Sequence, residues 1–297
     1  MSPTPKLSIL ITGCSPGGMG AALAISFHDA GHRVLATARN PSKLQELTNL
    51  GIETLTLDVT SGDAITTTAA AVDSTVGEQG LNILVNNAAS SYSMPIADVS
   101  LNDARALFDV NVWSHIAVTQ AFLPLLLKAS TTTACAMIVN HTSVGSATAL
   151  PFQGVYNASK AALAMLSETM RLELAAFGIR VVDLKTAGVH TNIIANNNVN
   201  TKAESLPIGS IYEPAREVVE SAMSQDGLKG TGISADQWAK EVSALLLSTN
   251  PPKMIWKGES AMLARVATML PSGPLEGMLK RMTKLDVVES IIKKTRN

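Results

Sequence analysis

Residues 9–20 read Ile9-Leu10-Ile11-Thr12-Gly13-Cys14-Ser15-Pro16-Gly17-Gly18-Met19-Gly20, an apolar run, a glycine-rich turn and the start of a helical stretch. The run suits a strand covered on both faces. Glycines let the backbone turn tightly and approach a pyrophosphate, while a helix N-terminus supplies free amide hydrogens and partial positive charge. A tight turn with a purely structural purpose has the same composition. Its place directly after the first strand favours a nucleotide cradle, with Gly13, Ser15, Gly18, Met19 and Gly20 as the candidate phosphate-facing residues.

Outward from this segment, short apolar runs alternate with longer helical stretches, the pattern of an α/β protein with a parallel sheet covered on both sides. Strands are predicted at 7–11, 33–38, 53–57, 83–86, 136–140 and 180–184, and helices at 19–30, 41–49, 62–76, 101–128 and 156–177. Gly31 and Gly178 mark helix ends, and Ser100 with Asp103 resembles a capping box. After Thr191 the chain turns Asn-rich and irregular over 193–210, a stretch that reads, with residues up to 217, as a substrate lid. A helix near 236–248, the Pro251-Pro252 break and a strand-like 253–256 follow. Two amphipathic segments close the chain. Met262, Leu263, Val266, Met269 and Leu270 share a helical face, as do Leu275, Met278, Leu279, Met282 and Leu285. Packing against the body or a second subunit is the expectation; contact with the substrate pocket or a membrane surface, aided by Arg265, Lys280, Arg281 and Lys284, is the alternative. Residues 1–191 are thus expected to form the nucleotide-binding and catalytic core, and 192–297 the lid, last strand and C-terminal helices of the same domain.

The 297 residues are 46% hydrophobic but only 4% aromatic, so aliphatic side chains must fill the core. A net charge of -1, from 23 basic and 24 acidic residues without long runs, argues against a nucleic-acid partner and for a small molecule. Cys14 and Cys135 make no disulfide framework, and His141 has no metal partners at suitable spacing, so both Cys14 and His141 read as structural. Residues 1–7 leave no room for a signal peptide, and no apolar stretch approaches the length of a membrane span. A cytoplasmic protein is expected, or one peripheral to an internal membrane or lipid droplet.

The second strand ends in Ala36-Thr37-Ala38-Arg39-Asn40, where an acid would hold the ribose hydroxyls of NAD. Arg39 stands there instead, placed to meet a 2′-phosphate with Ser15 or Thr37 as neutral helpers; a solvated surface arginine is the plain alternative. Asp58, after the third strand, could accept from an adenine amine or simply cap a helix. The strongest local signal is Tyr156-Asn157-Ala158-Ser159-Lys160, because residues four apart share a helix face. A phenol near pKa 10 is a poor acid or base at neutral pH, and an adjacent ammonium would lower that value. Thirteen residues earlier Ser143 follows the fifth strand and could donate to a carbonyl oxygen as charge grows on it.

These pieces in this order resemble the short-chain dehydrogenase/reductase superfamily over roughly residues 7–191. The turn, Asp58, Asn86-Asn87-Ala88-Ala89, Asn111, Ser143, Tyr156, Lys160 and residues 188–191 carry the likeness. Thr12-Gly13-Cys14-Ser15, residues 36–39 and residues 151–156 are most similar to the branch of 17β-hydroxysteroid dehydrogenases, retinol dehydrogenases and fungal acyl-dihydroxyacetone-phosphate reductases. The resemblance implies a Rossmann-type doubly wound sheet, bound NADP(H), and reduction of a ketone or aldehyde of a hydrophobic small molecule, or oxidation of the alcohol. Tyr156 would be the general acid, Lys160 would tune it and bind the nicotinamide ribose, Ser143 would polarise the carbonyl, and Asn111 would hold a proton-relay water. Thr191 and Val189 would contact the nicotinamide end, with Asn87 and Val59 bordering the adenosine half. A homo-oligomer through the helices at 101–128 and 156–177 is also implied. The same scaffold also hosts non-redox isomerases, cyclases and dehydratases, while the intact tetrad argues against a noncatalytic NADP(H)-binding regulator. Three departures stand out: Gly13 and Gly18 enclose four residues where the family has three, Ala89 replaces a glycine, and Ala187 replaces a proline, which should loosen the turn presenting Thr191.

Overall fold

The computed structural model describes residues 6–133, 135–191, 205–225, 231–269 and 272–296. Seven parallel strands form one sheet, β1 (Ser8–Ile11), β2 (Arg33–Ala38), β3 (Glu53–Thr56), β4 (Ile83–Asn86), β5 (Ala136–His141), β6 (Ile179–Thr186) and β9 (Met254–Lys257), in the order β3-β2-β1-β4-β5-β6-β9. The expected doubly wound α/β sheet is therefore present in a single domain, and its seventh strand comes from the C-terminal third, paired with β6. The order reverses between β1 and β4, which opens a crevice at the C-terminal ends of these strands.

Alternation along each strand decides what covers it. Ile9, Ile11, Val34, Ala36, Ile83, Val85, Met137 and Val139 face one side, packed against α1 (Met19–Asp29) and α8 (Ala235–Leu246), whose Trp238 is fully buried. Leu10, Leu35, Leu84 and Ile138 face the other, against α3 (Gly62–Val76) and α5 (Ser114–Thr132). Each such buried aliphatic side chain contributes roughly 1.5–3 kcal/mol, so the low aromatic content does not weaken the core. Ser100 caps as the sequence suggests, its Oγ accepting from Asp103 N ahead of α4 (Leu101–Phe108), and Ser61 Oγ accepts likewise from Ala64 N ahead of α3.

The helix expected to run unbroken over 101–128 is interrupted. Between α4 and α5 residues Asp109–Trp113 form a π turn, with Ser114 N–H reaching back five residues to the Asp109 carbonyl. The whole run, Leu101–Thr132, is by length and composition sufficient to cross a membrane, which corrects the expectation that no stretch approaches that length. Half of its most apolar 18-residue stretch is buried inside the protein, and Val118, Phe122 and Leu125 lie beneath the sheet.

Of the lid, residues 193–204 lie outside the described residues; 205–217 include the start of α7 (Arg216–Met223). The last two amphipathic segments are three helices, α9 (Ala261–Ala267), α10 (Ser272–Met282) and α11 (Leu285–Arg296). Their faces part company. In α9 Ala261 and Ala267 turn inward, whereas Met262, Leu263, Val266 and Met269 are half-exposed or more, so packing against the body does not account for that stripe; Leu270 lies outside the described residues. Val288 of α11 is buried in a roof cluster with Tyr92, Met94, Leu107, Phe152, Leu206, Val219 and Met223.

Candidate active site

The glycine turn is set by close backbone approaches. Gly13 has φ +73°, and a Cβ there would lie 2.8 Å from Ala88 Cα; one on Gly20 would lie 2.6 Å from the Gly13 carbonyl and 2.5 Å from Asn87 Nδ2. Gly20 is thus a packing requirement, not a cavity-lining contact. Thr12 Oγ1 accepts from the amides of both Asn87 and Ala88, each at 2.9 Å, and Asn87 Nδ2 donates to the Thr12 and Gly13 carbonyls. The extra residue of the turn is accommodated by Gly17 at φ +66°. Among the described residues no side chain caps α1; the Gly18 amide is spent on the Ser15 carbonyl at 3.1 Å, and the Met19 amide of the first turn stands at the rim of a cavity, the condition for holding an anion.

That cavity encloses about 560 Å³ and runs from Gly13, Ser15, Gly18 and Met19, past Arg39, Asp58 and Val59, to Tyr156, Lys160 and Thr191. Arg39 is exposed at its mouth. Thr37 is not: it is fully buried with its hydroxyl donated to the Ile11 carbonyl at 3.2 Å, which removes it from the phosphate helpers and makes it a brace for the turn. Asp58 is no helix cap either, since Ser61 fills that position; its carboxylate accepts from the Thr60 amide and hydroxyl. Burial pushes the Asp58 carboxyl up, but the two Thr60 hydrogen bonds and Arg39 outweigh it and leave it below its ordinary range. Val189 sits in β7 (Val189–His190), paired with Ile233 of β8 (Ile233–Ser234), and packs on the core away from the cavity wall.

Tyr156 and Lys160 project from consecutive turns of α6 (Gly154–Glu173), with Lys160 Nζ 6.0 Å from the tyrosine ring centre and donating to the His141 carbonyl at 2.9 Å. Burial pushes the Tyr156 phenol up, and a hydrogen bond with Ser143 only partly offsets it. The expected lowering by Lys160 is therefore not the dominant effect, because the same burial acts on both groups. It pulls the Lys160 ammonium down to about 8 against the opposing charge of Asp183. Ser143 Oγ accepts from Gly145 N at 3.1 Å, which fixes the hydroxyl beside Tyr156. His141 bonds through both ring nitrogens, to Asn87 Oδ1 at 2.9 Å and Thr186 Oγ1 at 2.7 Å, and stacks on Trp238, in keeping with a structural role. Cys14 is buried and its thiol pushed up to about 12 by desolvation, so it is inert.

Asn111 lies in the π turn, fully buried, where its presence inside a long helix signalled strain. Both amide hydrogens are used, on the Ser90 carbonyl at 2.9 Å and Ser159 Oγ at 3.0 Å, and Oδ1 accepts from Ser90 N. The side chain locks a cavity wall, so a relay water would fall to the main chain of the turn. Ala187 does not loosen the turn to Thr191. Its amide donates to the Lys257 carbonyl at 2.9 Å, a bond a proline could not make, and the Gly188 amide and carbonyl both bond Glu259.

Residues not singled out in the sequence also shape the site. Ser90 and Tyr92 carry no motif, and Thr12 entered only as part of the glycine-rich segment. Asp183 and Lys185 did leave a signal: two charges, two apart, on the strand face they share with Ile179 and Val181.

The chain is similar to known proteins. Residues 8–202 match the family model described as short chain dehydrogenase. The chain is 50% identical over 288 residues to a short-chain dehydrogenase/reductase of Pestalotiopsis microspora, covering 97% of this chain and 98% of that one. It is 35% identical over 273 residues to the NADPH-dependent 1-acyldihydroxyacetone phosphate reductase of Schizosaccharomyces pombe, covering 89% of each. Among solved structures, a short-chain dehydrogenase from Streptomyces avermitilis superposes with TM-score 0.74 at 26% identity, over 97% of this chain and 98% of that chain.

Proposed function

Since the chain belongs to the short-chain dehydrogenase/reductase family of oxidoreductases, we propose that it uses NADPH to reduce a ketone or aldehyde of a hydrophobic small molecule, with Tyr156 as general acid. The observation that carries this reading is the continuity of one cavity from the glycine turn and Arg39 to Tyr156 and Lys160. The residues fit a nicotinamide dinucleotide: uncapped amides at α1 for the pyrophosphate, and a guanidinium where an NAD-specific protein would carry an acid. An NADPH-dependent relative supports the same preference. When bound, the nicotinamide supplies the hydride.

The protein's own residues do the rest. Ser143 donates to the substrate oxygen, Tyr156 gives its proton to that oxygen as negative charge develops, and Lys160 steadies the phenolate left behind and holds the nicotinamide ribose. Thr191 borders the nicotinamide end, and Tyr92, Leu107 and Val110 offer an apolar wall to the substrate. Exposed Trp113, Met165, Leu172 and Phe177 along and beside α5 and α6 support assembly of a homo-oligomer there, and the outward stripe of α9 is the surface any peripheral membrane contact would use.

NADPH oxidation against a panel of apolar carbonyls tests the reading. Tyr156→Phe should lower kcat about a thousandfold, within the range of a lost general acid. Arg39→Gln should weaken NADPH about tenfold while leaving NADH unchanged. Undiminished turnover in Tyr156→Phe, or product formed without NADPH oxidation, would overturn the proposal.

A further inference from the structure

We propose that Asp183 and Lys185 are positioning residues, a buried ion pair that grips the Ser143 turn from both sides and supplies the counter-charge to Lys160. This rests on the roles given above to Ser143, Tyr156 and Lys160. Both side chains leave β6 on the same face and are almost fully buried, with Lys185 Nζ 2.8 Å from Asp183 Oδ2. Asp183 Oδ1 accepts from Thr142 Oγ1 at 2.5 Å, immediately before Ser143, and Lys185 Nζ donates to Ser146 Oγ at 2.7 Å, at the last residue of the turn that Ser143 opens. Ser146 N closes that turn on the Ser143 carbonyl at 2.9 Å. The catalytic hydroxyl is thus suspended between two charge-assisted hydrogen bonds, and Lys185 is in turn held over the Trp256 ring at 5.7 Å.

Stability alone does not call for this pair. Desolvating two charges is costly, and well-packed apolar residues in their place would serve the fold as well or better. Position does call for it, because Thr142 forms part of the cavity wall. Among the described residues, Lys160 lies beside Tyr156 of its own helix and the carbonyl of His141 in β5, and it interacts electrostatically with His115 in α5 and Asp183 in β6. Burial, followed by the repulsion of Lys160, holds both imidazoles down to about 3, so they stay neutral and Asp183 provides the negative charge. Its partner Lys185 keeps that carboxylate in place.

Two double variants of the full chain separate the two halves of the idea. Asp183→Asn with Lys185→Met removes both charges while keeping an acceptor for Thr142 and an apolar stem under Trp256. Its kcat should drop about tenfold, its NADPH affinity should stay within twofold, and the fall of kcat with rising pH, which follows loss of the Lys160 proton, should move about one pH unit lower. Thr142→Val with Ser146→Ala cuts both grips and leaves the charges, so kcat should drop about tenfold with the pH profile unmoved. Wild-type kcat in the second pair, or a wild-type pH profile in the first, overturns the proposal; if the first pair does not fold, the second decides by itself. Tyr156→Phe, measured alongside, keeps the levels apart: full activity in that variant refutes the underlying catalytic reading, whereas its inactivity beside two unaffected double variants refutes only the role of Asp183 and Lys185.

Discussion

The two walls of the cavity are built differently. At the glycine turn of the nucleotide side the surface is backbone, shaped by approaches such as Gly20 to the Gly13 carbonyl and clamped by Thr12 and Asn87, whose hydrogen bonds lie inside the protein. On the side proposed for the substrate the surface is side chain, Tyr92 and Leu107, backed by Phe152 and by Val219, Met223 and Val288 from helices of the C-terminal third. A backbone surface has one shape and accepts one class of ligand. A surface of aliphatic and aromatic side chains is remade by substitution at modest cost. Under the proposed function, the contrast sets a fixed coenzyme site beside a substrate site open to change.

If the nucleotide wall depends on backbone contact, Gly20→Val should be the most damaging change. The new side chain has no room, and about 3 kcal/mol of overpacking would appear as a hundredfold loss of NADPH affinity, read by fluorescence titration. Unchanged affinity would mean the turn is pliable.

The nucleotide wall should also be the acid-sensitive one. His141 beneath Asn87 and His115 behind it are buried neutral, pulled down to about 3 first by desolvation and then by Lys160. The unfolded chain binds protons below about pH 6.5 that the native state refuses, so stability is lost as pH falls from 6.5 toward 3. Each histidine should cost about 2 kcal/mol at pH 5 relative to pH 7. His115→Gln should recover about half of that combined loss in denaturant titrations at the two pH values; an unaltered pH 7 to pH 5 difference would place the sensitivity elsewhere.

The smallest effect belongs to the roof. Val288→Asp, which puts an unpaired charge in the apolar cluster, should raise KM for an apolar carbonyl about tenfold. NADPH affinity should stay within twofold, and an equal loss of both would show that the walls are not independent.

Much of this was legible in the chain. The apolar runs and their glycine stops place the six N-terminal strands, because a strand covered on both faces has little choice of residue. The Tyr156/Lys160 spacing marked two side chains that the fold brings to one cavity. Direction was harder. Thr37 reads as a polar residue at a strand end, but which side of the strand it faces depends on pairing with β1, and it turns inward to the Ile11 carbonyl. Helical spacing finds the stripe on α9 without saying whether anything covers it. Ala187 looks like a lost proline until the Lys257 carbonyl, seventy residues away, is seen accepting from its amide.

The π turn at Asp109–Trp113 can be regarded as a phase shift. One surplus residue advances everything after it by about 100° around the helix axis. Ala106 and Leu107 ahead of it thereby serve the cavity, while Val118, Phe122 and Leu125 after it serve the sheet. Removing a single residue from the turn would bring the two stretches back into step and force one of these surfaces to face the wrong way. At this point the spacing of the chain is constrained as strictly as its residue types.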